Sequence, residues 1–92
     1  MNADIRLLIG DDNAATPYAL RRPLALHGYT VMEAGTGGEG LALIGREQFD
    51  ALILDVNLPD MSGFDIVRLL RARPETALLP VIHVSAASIQ SG

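Results

Sequence analysis

The strongest constraint on this chain is a repeated stop. Short runs of branched apolar residues each end abruptly at a polar side chain: Ile5-Arg6-Leu7-Leu8-Ile9 at Gly10-Asp11-Asp12, Ala51-Leu52-Ile53-Leu54 at Asp55, and Val81-Ile82-His83-Val84 at Ser85. Runs of this length and composition are strands, and the unbroken Ala51–Leu54 run reads as a central parallel strand covered on both faces. Helical patterns separate the runs, so the chain builds right-handed βαβ units: a parallel sheet with helices on both faces. In such sheets ligands bind at the C-terminal strand ends, in the crevice where the strand order reverses. Asp11, Asp12, Asp55 and Ser85 all fall at strand ends of that kind.

The first helix is expected from an N-cap at Asn13 or Thr16 to Gly28, with Tyr18, Leu20, Leu24 and Leu26 as its apolar residues. Gly28 suits the left-handed position that ends a helix. Pro23 lies inside this span and would remove a hydrogen bond to the Ala19 carbonyl, so a kink or a break near Arg22 is expected. His27 lies near the helix C-terminus, where it complements the dipole. Tyr29–Ala34 is half apolar, as an edge strand would be, and leads through Gly35–Gly38 to a helix near Glu39–Glu47. After the turn Leu58-Pro59-Asp60-Met61, Ser62 caps a helix through Arg73 that buries Phe64, Ile66, Val67, Leu69 and Leu70, and Pro74 stops it. Pro80 opens the fourth strand, Val81–Ser85.

Composition narrows the function. The 92 residues contain 49% hydrophobic and 20% charged residues, which suits one small globular domain. With no cysteine, thiolate metal sites, cysteine nucleophiles and disulfides are excluded, and a cytoplasmic location is the default. The net charge is −4 and all seven basic residues are arginine, which argues against a nucleic-acid surface. No apolar run approaches the ~20 residues needed to span a bilayer, so no membrane role is expected.

Three aspartates meeting at adjacent strand ends would repel one another unless they share a cation or one is protonated. Mg²⁺ suits them: it takes oxygen ligands, one or two of them carboxylates, and leaves room for a phosphate oxygen. An aspartate beside such an ion can attack phosphorus, with Ser85 donating a hydrogen bond to a phosphoryl oxygen. Taken singly, each aspartate is as well explained as a cap for the following helix; their joint placement favours the site.

These residues resemble the receiver domain of two-component signalling, the phospho-accepting module of response regulators and hybrid histidine kinases. The likeness rests on Asp11-Asp12, on Asp55-Val56-Asn57-Leu58-Pro59-Asp60-Met61-Ser62-Gly63, and on Ser85-Ala86, with Ala34, Gly37, Glu39 and Leu41 in support. It implies a flavodoxin-like doubly wound α/β fold and a phosphorelay switch rather than an enzyme. It further implies that Asp55 accepts a phosphoryl group from the phosphohistidine of a histidine kinase or from a small phosphodonor. Asp11, Asp12, Asp55 and the backbone carbonyl of Asn57 would hold Mg²⁺, and Ser85 would bind the phosphate.

Receivers have about five βα units, whereas this chain reaches Gly92, seven residues past Ser85, and contains no lysine to match the family's fifth-strand lysine. The expectation is therefore one receiver domain over 1–92, C-terminally truncated to about four βα units, either a piece of a longer protein or a short receiver. An exposed fourth strand invites self-association, as a homodimer formed by pairing along Val81–Val84 or by exchange of the C-terminal segment. His83 on that strand reads as partly buried with its hydrogen bond satisfied.

Other readings are weaker. A degenerate or truncated receiver used as a phosphorylation-independent dimerisation or docking module is the main alternative. Gly35-Thr36-Gly37-Gly38-Glu39-Gly40 matches the dinucleotide fingerprint G-x-G-x-x-G, but that reading leaves Asp11-Asp12 unexplained. A haloacid-dehalogenase-type phosphohydrolase needs a second acid two residues after its nucleophile, where this chain has the amide Asn57.

Overall fold

The computed structural model describes residues 5–13 and 15–84. Four parallel strands form one sheet in the order β2-β1-β3-β4, with β1 at Arg6–Gly10, β2 at Thr30–Ala34, β3 at Ala51–Asp55 and β4 at Val81–Val84. Three helices connect them: α1 at Ala15–Leu26, α2 at Gly37–Arg46 and α3 at Gly63–Arg71. This is the flavodoxin-like order, with the reversal between β1 and β3.

Register assigns the two faces. Leu8, Met32, Leu52 and Val81 lie in one row, and Leu8, Leu52 and Leu54 are at most 1% exposed. Ile66 and Leu70 of α3 pack with them, and Leu41 and Ile44 of α2 close the cluster. The opposite face carries Leu7 and Ile9, with Glu33 level with Ile9. Arg21 of α1 reaches Glu33 at 3.2 Å, which sets α1 on that side. Two faces are therefore covered, but unequally. In β3 burial alternates, Leu52 and Leu54 inside and Ala51 and Ile53 only half-buried, so the expectation of a strand closed on both faces is corrected.

Of the kink or break expected near Arg22 the break does not occur, since helix α1 runs on through Pro23, and Thr16 falls inside the helix. Its C-terminus compensates locally. Gly28 takes φ +88°, Gly28 N–H donates to the Ala25 carbonyl and Tyr29 N–H to the Leu24 carbonyl, a double closure of the last turn. The Pro23 carbonyl accepts from His27 N–H and lies 2.8 Å from His27 Nδ1, which bears out the reading of His27 as a helix-end residue. Leu26, expected on the apolar face, is 77% exposed.

Helix α2 begins two residues earlier than expected because Thr36 caps it, its side chain accepting from Glu39 N–H. Helix α3 is capped by Ser62 as expected, through a reciprocal box in which Ser62 Oγ accepts from Phe64 and Asp65 N–H and the Asp65 carboxylate accepts from Ser62 N–H. It ends at Arg71, and Pro74 opens a single 3₁₀ turn, Pro74–Thr76. Phe64 and Leu69 are 54% and 50% exposed, not buried, since Ile66 and Leu70 alone face the core squarely. At the N-terminal end of the sheet Arg6 ties β1 to the α2–β3 loop, through its N–H to Asp50, its Nε to the Gln48 carbonyl and its Nη2 to Glu47. No helix among the described residues is long and apolar enough to cross a membrane.

Candidate functional site

Asp11 follows β1 directly, and its N–H donates to the Ala34 carbonyl at 2.9 Å, which extends the β1–β2 ladder by one bond. That bond points the side chain inward. Asp11 is 8% exposed, the one buried charged side chain among the described residues, and its Oδ1 accepts from Asn13 N–H at 2.8 Å. Asp12 is exposed beside it. Asp55 closes β3, adjacent to β1, and one carboxylate oxygen from each of Asp11, Asp12 and Asp55 lies within 4.8 Å of the others. The crevice predicted from the alternating pattern and the cluster of acids coincide.

The Asp55 carboxyl titrates above its ordinary range. Burial is the main cause; Asn57 N–H, donating to Asp55 Oδ1 at 3.1 Å, works against it, and the carboxylates of Asp11 and Asp12 add to the rise. A carboxylate already crowded by two others in a half-buried site gains most from a shared cation. The donor set is all oxygen, which fits a hard divalent ion such as Mg²⁺.

The loop after β3 is built to hold Asp55 in place. Asn57 and Ser62 form an antiparallel bridge, Leu58 N–H donates to the Met61 carbonyl at 3.2 Å, and Gly63 N–H donates to the Val56 carbonyl at 2.8 Å. Leu58 anchors the turn in the core at 9% exposure. A Cβ at position 63 would collide with the Asp55 carbonyl oxygen, so the close return of the chain at Gly63 admits no side chain. Asp60 extends the loop sideways, its Oδ1 accepting from Gly37 N–H at 2.7 Å and its Oδ2 from Gly38 N–H at 2.9 Å. Those bonds hold the Asp60 carboxyl below its usual range.

The same bonds dispose of the dinucleotide fingerprint. The Gly35 N–H is taken by Glu39 at 2.7 Å and those of Gly37 and Gly38 by Asp60, so the N–H groups that would cradle a phosphate already hold the chain's own carboxylates. A Cβ at position 37 would press on the side chain of Met61.

The comparisons agree with this geometry. The profile of the response regulator receiver domain matches residues 7–91. The chain belongs to that family. It is 39% identical to protein PilH of Pseudomonas aeruginosa over 80 residues, covering 87% of this chain and 66% of PilH. It is also 39% identical over 82 residues to the response regulator MprA of Mycobacterium ulcerans, covering 89% of this chain and 34% of MprA. The chain therefore spans just under two-thirds of one relative and about one-third of the other. Among solved structures, the chemotaxis response regulator CheY4 of Vibrio cholerae superposes with a TM-score of 0.84 at 30% identity, over 98% of this chain and 78% of that one.

Within this receiver the structure brings together Asp11, Asp12, Asp55 and, through its N–H, Asn57. Ser85 lies outside the described residues; Val84, paired with Asp55, is the last of them. On the same strand His83 departs from expectation: its Nδ1 is buried and has no hydrogen-bond partner among the described residues, while its ring sits 4.7 Å from that of Phe64. Sequence reasoning passed over the roles of Asp60 and Gly63. Both lay in the quoted Asp55–Gly63 stretch, but their partners Gly37 and Asp55 become visible only in three dimensions.

Proposed function

We propose that residues 1–92 act as a phospho-accepting receiver unit, in which Asp55 takes a phosphoryl group from the phosphohistidine of a histidine kinase. The convergence of the Asp11, Asp12 and Asp55 carboxylates at the β1–β3 crevice carries this reading. Asp11, Asp12 and Asp55, with the backbone carbonyl of Asn57, would hold Mg²⁺. When bound, the ion offsets negative charge on the phosphoryl oxygens and on the three aspartates.

The chain's own residues supply the nucleophile and its orientation. Asn57 N–H holds one Asp55 oxygen and orients the carboxylate plane. An Asp55 oxygen attacks phosphorus, the bond from phosphorus to the donor's imidazole nitrogen breaks, and the imidazole leaves and takes up a proton; the product is an acyl phosphate on Asp55. Ser85, two positions after His83, would donate to a phosphoryl oxygen. The unit would act in the cytoplasm, as a switch and not as a turnover enzyme.

The test is incubation with Mg²⁺ and acetyl phosphate or phosphoramidate, read by intact mass. One added phosphoryl group that Asp55→Asn removes supports the reading; an adduct that survives Asp55→Asn, or none in a folded protein, refutes it. A second reading is a phosphorylation-independent docking module that self-associates along β4. It draws on two observations: among the described residues β4 pairs only with β3, and Ile82 is 58% exposed. Light scattering that shows a monomer at high concentration would remove it.

A further inference from the structure

We infer that Asp60 is a positioning residue for the phosphoacceptor loop: its carboxylate clamps the turn after β3 onto the first turn of α2, and the clamp sets the place of the Asn57 backbone. The inference rests on the proposed metal and phosphoacceptor roles of the neighbouring residues.

Both oxygens of Asp60 are used, on successive N–H groups of Gly37 and Gly38, 23 and 22 residues away in sequence. Two parallel charge-assisted bonds fix direction as well as distance. The turn between them and the site has little slack. Asn57 and Ser62 are bridged, Leu58 N–H holds the Met61 carbonyl, and Met61 lies so close to Gly37 that a Cβ there would strike its Cγ. A shift of Asp60 is therefore passed to Asn57, and through the bond from Asn57 N–H to Asp55 Oδ1 to the acceptor carboxylate.

A cap for α2 would be the plainer role for Asp60. Thr36 and Asp60 share that role, Asp60 taking the Gly37 and Gly38 N–H groups of the first turn. Thr36 accepts from Glu39 N–H at 3.1 Å, and Glu39 in turn accepts from Gly35 N–H at 2.7 Å. The bonds of Asp60 add what those two cannot, a link between α2 and the loop that carries Asn57. Asp60 touches none of the three clustered carboxylates and acts only through that loop.

The test compares Asp60→Ala, Asp60→Asn and Glu39→Ala with the unmodified 92-residue chain, following backbone amides by NMR during a Mg²⁺ titration with no phosphodonor. Circular dichroism reports folding. In Asp60→Ala the Asn57 and Asp55 amides should move before any metal is added, and the Mg²⁺ dissociation constant should rise about tenfold, the usual scale for groups that orient metal ligands. Asp60→Asn, which keeps one accepting oxygen, should give a smaller rise; it also serves as the measure if Asp60→Ala fails to fold. Glu39→Ala should lower the melting temperature yet leave Mg²⁺ affinity unchanged.

Unchanged Asn57 and Asp55 amides in the Asp60 variants, or equal losses of Mg²⁺ affinity in Asp60→Ala and Glu39→Ala, would reduce Asp60 to a helix cap. If the unmodified chain binds no Mg²⁺, the metal reading fails, and the metal-free amide shifts alone decide the role of Asp60.

Discussion

The carbonyl oxygen of Asp55 faces the Cα of Gly63 so closely that no Cβ fits between them. The end of β3 and the start of α3 are thus in backbone contact, closed further by the bond from Gly63 N–H to the Val56 carbonyl at 2.8 Å. The acceptor aspartate is held from behind by a helix N-terminus rather than left on a free strand end.

That contact predicts an asymmetry between two glycines. Gly63→Ala drives a methyl against backbone and should cost about 1–3 kcal/mol, as overpacked sites do. Gly37→Ala meets the flexible side chain of Met61 instead and should cost less. Urea unfolding of both variants checks the order, and equal losses would show that the loop after β3 can yield.

Ser62→Ala removes the side chain that accepts from both Phe64 and Asp65 N–H. A loss of about 1 kcal/mol is expected, which in a domain of this size lowers the melting temperature by about 4–8 °C. Asp65→Ala should cost part of that, since the reciprocal bond from Ser62 N–H, at 3.4 Å, is the longer arm of the box.

The two shifted carboxyls pull stability in opposite directions with pH. Asp55 has its folded pKa raised, mainly by burial, so its ionisation disfavours the folded state: the penalty is absent below the unfolded value and complete once pH has risen through the folded one. Asp55→Asn should then melt higher than the unmodified, metal-free protein at neutral pH, and the gain should vanish in acid. Asp60 has its folded pKa lowered by the Gly37 and Gly38 N–H groups, so its contribution is present above the unfolded value and lost as pH falls through the folded one. Asp60→Ala should destabilise at neutral pH by more than it does in acid. Melting curves at a series of pH values report both differences.

Metal binding should relieve the crowding of the three acids. At a Mg²⁺ concentration 100 times the dissociation constant the folded state gains about 2.7 kcal/mol, read as a higher melting temperature that a chelator reverses. Asp12→Asn should shrink the gain. A Mg²⁺-induced rise that is the same in Asp12→Asn would place the ion elsewhere.

What the sequence determined by itself was the periodic part of this protein. Apolar runs that stop at Asp11 and Asp55 specify parallel strands and put the acids at their C-terminal ends, because side-chain alternation and chain handedness are local rules. Ser62 and Gly28 were legible for the same reason: a cap bonds to residues two to four positions away. Burial on α3 was legible only in part, since Phe64 and Leu69 satisfy the apolar pattern yet face outward, and α1 runs on through Pro23 where the local rule expects a kink or a break. The tertiary structure alone decided how the Gly35–Gly40 stretch is used, because its N–H groups are claimed by Glu39 nearby and by Asp60 across the fold. It alone decided that Gly63 must lack a side chain and that Asp60 joins the loop after β3 to the first turn of α2. Those outcomes depend on how the loops close against one another once the sheet and helices pack into one core, and for Asp60 on partners 22 and 23 residues away.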